Sequence, residues 1–154
     1  MAVMTQVRAD HKLDLAAEVL RAGSSIRLQA LGTSMLPAIW PGDVLCIERK
    51  AGEEIVAGDI VVVAREGRFF IHRLIEKRES GWVTRGDSLP QNDPLVEEVQ
   101  VLGKVSSIQR KNGASVPRSL SWLKRALARM LCRWDLLRNV VLRVHSLRDR
   151  RACP

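Results

Sequence analysis

Cysteine is scarce in this chain. Cys46, Cys132 and Cys153 are the only three, an odd number at no metal-ligand spacing. They offer no basis for a disulfide framework or a cysteine-ligated metal, and reduced thiols are expected. Long apolar runs are missing as well: none approaches the roughly 20 residues needed to cross a bilayer. The first residues lack the apolar core of a signal peptide, so the expected setting is cytoplasmic or peripheral to a membrane. Internal repeats and low-complexity segments are absent too. What remains for 154 residues is one domain, large enough to bury a core without staples. Acidic residues run short only at one end. Residues 1–117 hold 15 Lys/Arg and 15 Asp/Glu, whereas residues 118–154 hold 10 and 2, so the whole formal charge of +8 lies in the tail.

Residues 1–9 show no clear period and read as frayed. Asp10 reads as the N-cap of a helix running to about Arg21, with Leu13, Ala16, Ala17 and Leu20 on one face and Gly23 as its stop. His11 falls in the first turn and reads as a solvated residue, not a ligand. Residues 1–25 thus form a helix and lead-in. From Ile26 to about 110 strand signals dominate. Ile26–Leu31 alternates as a half-buried strand should, and Val44–Glu48 is a second run. Gly58-Asp59 turns into the continuous apolar run Ile60–Ala64. Glu66-Gly67 then marks a hairpin into Phe69–Ile75, and Gly81 turns into Trp82–Arg85. Residues 88–98 read as a polar loop with Pro90 and Pro94, and Val99–Ile108 as a last strand, bulged at Gly103. The pattern predicts a mainly β, α+β fold: a coiled antiparallel sheet or partly open barrel, preceded by one helix and followed by amphipathic helices.

The residues that could carry chemistry lie on three separated stretches. Ser34 stands in Gly32-Thr33-Ser34-Met35-Leu36-Pro37, with Trp40-Pro41-Gly42-Asp43 behind it; glycine and proline forbid a helix there and stiffen the loop. A lone serine in such a loop ordinarily bonds its own backbone. His72 lies in the apolar strand Phe70–Leu74, where the common role is a satisfied core or edge residue. Asp87 and Asp93 belong to Gly86-Asp87-Ser88-Leu89-Pro90-Gln91-Asn92-Asp93-Pro94, where turn-capping carboxylates are common. Together they make up the inventory of nucleophilic catalysis: a hydroxyl, an imidazole able to take its proton near neutral pH, and a carboxylate to fix the imidazole's tautomer.

In their order these stretches resemble the boxes of type I signal peptidases and their relatives, the LexA-type self-cleaving repressors. Gly32–Pro37 with Gly42-Asp43 looks like the nucleophile box, and Gly58–Val62 resembles the next. Ile71-His72-Arg73 stands where the general base belongs. Most bacterial signal peptidases and the LexA-type proteins use lysine there; His-Arg is similar to the branch found in the endoplasmic reticulum, in archaea and in some bacteria. Gly86-Asp87 through Asp93 matches that branch's acidic box, and Leu102-Gly103-Lys104-Val105 its closing strand. The resemblance spans roughly residues 26–108. It implies Ser34 as nucleophile, His72 as general base, Asp93 as orienting acid, and Asp87 as a second functional carboxylate or a turn former. The backbone N–H of Ser34 would hold the oxyanion. Many relatives have a second donor, a serine two residues before the nucleophile; here that position is Gly32, and Thr33 is a candidate substitute.

The implied activity is a serine endopeptidase trimming a leader or precursor peptide, with no cofactor and no metal. A non-catalytic module of the same fold that binds peptide or membrane is the alternative. A LexA-like self-cleaving protein is less favoured, since no lysine lies in Ile60–Leu74 and no DNA-binding domain precedes the boxes. The tail, 118–150, places Leu120, Leu123, Leu127, Met130, Trp134, Leu137, Val141 and Val144 at steps of three and four, flanked by Arg125, Arg129, Arg133, Arg138 and Arg143. Such a basic amphipathic helix suits an anionic membrane surface, with Trp122 and Trp134 at the interface, or a partner protein; it could equally cover the sheet. Nucleic acid is a poorer partner, because an apolar stripe accompanies the basic positions and no reader motif is present.

Overall fold

The computed structural model describes residues 14–110 and 113–117. The expected cap Asp10, the first-turn His11 and the basic tail lie outside those residues.

Residues 14–21 are helical. The helix ends in a Schellman motif, with the Ser24 N–H bonded to Val19 O, the Gly23 N–H to Leu20 O and Gly23 at φ +83°, a conformation cheap only for glycine. Seven strands follow: β1 (Ile26–Gln29), β2 (Val44–Glu48), β3 (Ile60–Arg65), β4 (Arg68–Arg78), β5 (Gly81–Arg85), β6 (Val101–Arg110) and β7 (Gly113–Ser115). They form one antiparallel sheet in the order β1-β2-β6-β3-β4-β5, with β7 added to β6. The sheet is not closed into a barrel.

Local chemistry accounts for the turns. β3 and β4 are joined by two residues, Glu66 and Gly67, at φ +53° and +66°. Positive φ at both positions is the type I′ geometry that matches strand twist. The coiling comes from β6, which serves two neighbours in turn: residues 101–104 pair with β3 and 104–109 with β2. Leu102 and Ser106 are each extra in the register, so β6 carries two bulges that bend it. The expected bulge at Gly103 is therefore present beside it, at Leu102. Gly103 is needed where β6 meets the end of β2, because a β-carbon there would lie 2.3 Å from Glu48 O. Two expectations shift: residues 98–100 form a 3₁₀ turn rather than the start of the last strand, and Val96 in the polar loop bridges to Trp82.

Each face of the sheet has its own core. On one, Ala17 and Leu20 of the helix and Met35 and Ile39 of the β1–β2 loop pack on Leu45, Ile47, Ile60, Val62 and Leu102. On the other, Ile55, Trp82 and Val96 cover Val61, Val63, Leu74 and Val101. This is why β3 reads as a continuous apolar run: both its faces are covered. A fully buried Leu or Ile stabilises by about 1.5–3 kcal/mol, against at most about 1 kcal/mol for an exposed ion pair. The cores, not surface charge, hold the frame on which the site is mounted.

Candidate active site

Ser34 lies on the loop between β1 and β2, which is tied at its base and along its length. Ala30 N–H donates to Asp43 O at 2.8 Å and Gly42 N–H to Ala30 O at 2.8 Å. Trp40-Pro41-Gly42-Asp43 closes as a type II turn, with Asp43 N–H to Trp40 O at 3.0 Å and Gly42 at φ +94°. The Asp43 carboxylate accepts from the Trp40 N–H at 2.9 Å and from Arg110 Nε on β6 at 3.0 Å, while Arg110 Nη2 also donates to Ala38 O at 2.7 Å. Inside the loop Met35, Leu36 and Ile39 are buried. Apolar anchors on one side and a guanidinium on the other leave the serine little freedom.

His72 sits mid-strand on β4, opposite Val61 of β3, and is 6% exposed. Its Nε2 lies 3.0 Å from Ser34 Oγ and its Nδ1 2.6 Å from Asp93 Oδ2. A carboxylate only accepts, so it keeps the imidazole proton on Nδ1 and leaves Nε2 to accept from the serine hydroxyl. Asp93 is held in turn by Thr84 of β5: the Thr84 hydroxyl donates to Asp93 Oδ2 at 2.7 Å, and the Asp93 N–H donates to Thr84 O at 2.9 Å. The result is a hydrogen-bonded chain from Thr84 through Asp93 and His72 to Ser34.

Asp87 is not brought to this chain. Its carboxylate receives two bonds of 2.7 Å from Arg73 Nε and Nη2, and Arg73 Nη1 donates to Gly58 O at 2.6 Å. Both side chains are buried, so this bidentate pair is screened little by solvent. It fixes the start of the acidic loop to β4 and to the turn before β3. Among the described residues no hydrogen bond joins Asp87 to His72 or Ser34. Lys104 of the closing strand donates to Asp59 at 3.1 Å, and among the described residues no hydrogen bond joins it to Ser34. Gly32 leaves open space, since a β-carbon there would meet nothing within 4 Å. Thr33 contributes its carbonyl, which accepts from Leu36 N–H and from Ser88 Oγ.

A family model described as Peptidase S24-like matches residues 2–106, about two thirds of the chain. The chain belongs to the peptidase S24-like family. No curated protein matches it. The matched stretch contains Ser34, His72, Asp87 and Asp93, so membership covers the whole hydrogen-bonded chain and supports a serine peptidase in general.

Several residues of this S24-like site escaped the sequence reading. Thr84 carried a usable signal: it alternates with Trp82 on the inward side of β5, just before the Gly86-Asp87 box, where a buried hydroxyl needs a partner. Arg110 and Ser88 carried none, because their partners Ala38, Asp43, Thr33 and Ser34 are far away in sequence. Among the described residues no cluster of His, Cys, Asp or Glu has the grouping to hold a metal ion.

Proposed function

We propose that this chain is a serine endopeptidase of the signal-peptidase type that uses a Ser-His-Asp triad to cleave a leader or precursor peptide. The observation that carries this reading is the single line of bonds at 3.0 Å and 2.6 Å from Ser34 through His72 to Asp93. His72 Nε2 takes the hydroxyl proton as Ser34 Oγ attacks the scissile carbonyl, and Asp93 stabilises the imidazolium. The developing oxyanion is received by the backbone N–H of Ser34, which makes no other hydrogen bond among the described residues. His72 then gives its proton to the leaving amine. Water, activated by the same imidazole, releases the acyl group and restores the serine.

The placement of histidine where lysine-using relatives carry their base supports the His-using branch. A self-cleaving protein is the second reading, favoured by the family match itself. Incubating the purified chain alone separates the two: self-cleavage yields fragments at a rate independent of protein concentration, whereas cleavage in trans requires an added peptide. For the peptidase reading the test is a fluorescent fluorophosphonate, which should label the wild-type chain and fail to label Ser34→Ala. An unlabelled wild type, or equal labelling of both, removes it. The tail is proposed to bring this activity to an anionic membrane surface, on the strength of its charge and apolar spacing.

A further inference from the structure

The acidic loop touches the Ser34 loop through backbone as well as through His72. Ser88, buried at 8% exposure, donates twice: its N–H to Ser34 O at 2.9 Å and its hydroxyl to Thr33 O at 2.8 Å. A β-carbon on Gly86 would lie 2.7 Å from the same Ser34 carbonyl, so only glycine lets the two loops come this close. In a trans peptide the C=O and the N–H of the next residue point in opposite directions, and the cis bond in this loop is Leu36–Pro37. Holding Thr33 O toward Ser88 therefore turns the Ser34 N–H to the opposite side. Holding Ser34 O does the same for the Met35 N–H. Neither N–H makes a hydrogen bond among the described residues.

We infer that Ser88 is a positioning residue that orients the Ser34 and Met35 N–H groups as oxyanion donors, with Gly86 providing the space for that contact. The inference rests on the peptidase reading above. The acidic loop then acts twice: Asp93 orients the base through its side chain, while Ser88 orients the oxyanion site through two carbonyls. This bears on the missing second donor at Gly32, because a site with fewer side-chain donors depends more on how its amides are aimed.

The fluorophosphonate tests it in the full-length chain. Ser34 Oγ forms the O–P bond, fluoride leaves, the hydroxyl proton passes to His72, and the phosphoryl oxygen takes the oxyanion's place. Ser88→Ala should lower the maximal labelling rate by about 10- to 100-fold, less than the ~10²–10³-fold that follows outright loss of an oxyanion donor. The half-saturating probe concentration and the acid-side midpoint of the pH–rate profile should not move, since His72 and Asp93 are untouched. Ser88→Thr, which keeps the hydroxyl, should stay within about 3-fold of wild type. Should Ser88→Ala fail to fold, Ser88→Cys carries the same test with a near-isosteric, much weaker donor. Labelling of Ser34 at the wild-type rate in the hydroxyl-free variant overturns the inference, and so does a rate loss that moves together with the acid-side midpoint. A wild type not labelled at Ser34 instead removes the peptidase reading beneath it.

Discussion

Asp87 and Asp93 stand six positions apart in one loop, yet their surroundings assign them opposite work. Arg73 and Asp87 form a buried pair, and removing one partner of such a pair costs about 3–5 kcal/mol, because the other charge is left behind. Asp87→Asn should therefore lower stability by about 3 kcal/mol in a denaturant titration, with labelling retained in the molecules that stay folded. Asp93→Asn should do the reverse. It disrupts the bond that fixes the His72 tautomer, a loss of about 10⁴-fold in a well-studied triad, and it should leave the unfolding midpoint nearly unchanged. A matching stability loss in both variants would contradict the division. The base makes a further demand: His72→Ala removes the acceptor for the Ser34 hydroxyl proton, so labelling of Ser34 should be nearly lost while the fold is kept. Labelling fully retained in that variant would point to another base. Gly32 offers the opposite kind of test. Space is open there, so Gly32→Ser should fold normally and raise the labelling rate several-fold if its hydroxyl joins the oxyanion site.

Two elements decide how well the sheet carries this site. β6 must pass from β3 to β2 within ten residues, and it does so through bulges on either side of Gly103. A side chain on Gly103 would drive into the Glu48 backbone, which is not a flexible side-chain end that can move aside. Gly103→Ala should cost about 1–3 kcal/mol, read as a lower thermal midpoint. The β3–β4 turn can be improved instead. Glu66 is the one non-glycine residue at positive φ among the described residues, where most L-residues pay about 1–2 kcal/mol. Its ion pair with Arg65 is exposed and worth little. Glu66→Asn, giving the favoured Asn-Gly turn, should raise stability by about 0.5–1 kcal/mol and leave labelling unchanged. Both positions were visible as punctuation in the sequence. Only the neighbour across the strand shows why one must stay glycine and the other need not stay glutamate.

On the scale of the whole molecule the charge is lopsided. The first 117 residues are formally neutral and the last 37 carry +8, so attraction to an anionic surface must come from that end. Each basic residue near such a surface contributes about 1 kcal/mol, a term that salt screens, while burial of the apolar stripe is not screened. The full chain should float with vesicles containing anionic lipid, be released in part by added salt, and ignore purely zwitterionic vesicles. Replacing Arg125, Arg129 and Arg133 with glutamine should weaken flotation without altering labelling at Ser34. A full chain that ignores anionic vesicles would sink the membrane proposal and favour a tail that covers the protein or a partner.

What the sequence determined by itself was local and periodic: the strands from Ile26 to Gln109, the Glu66-Gly67 and Pro41-Gly42 turns, the helix stop at Gly23, and the short list Ser34, His72, Asp87 and Asp93. The strands, turns and helix stop follow from side-chain alternation and from the φ values that proline and glycine allow, which need no knowledge of distant neighbours; the four site residues follow from their chemistry and from the ordered boxes they resemble. Residue types alone left open which carboxylate meets the histidine, and only the family resemblance implied Asp93. His72 and Arg73 are consecutive on β4, so they point to opposite faces of the sheet, and the acidic loop wraps the strand so that Asp93 reaches one while Asp87 reaches the other. That division, the hold of Thr84 on Asp93 and the grip of Ser88 on the serine loop depend on how β4 pairs with β3 and β5 and on where the loops meet. Tertiary structure alone decides them, because they join backbone and side-chain groups that no local pattern brings together.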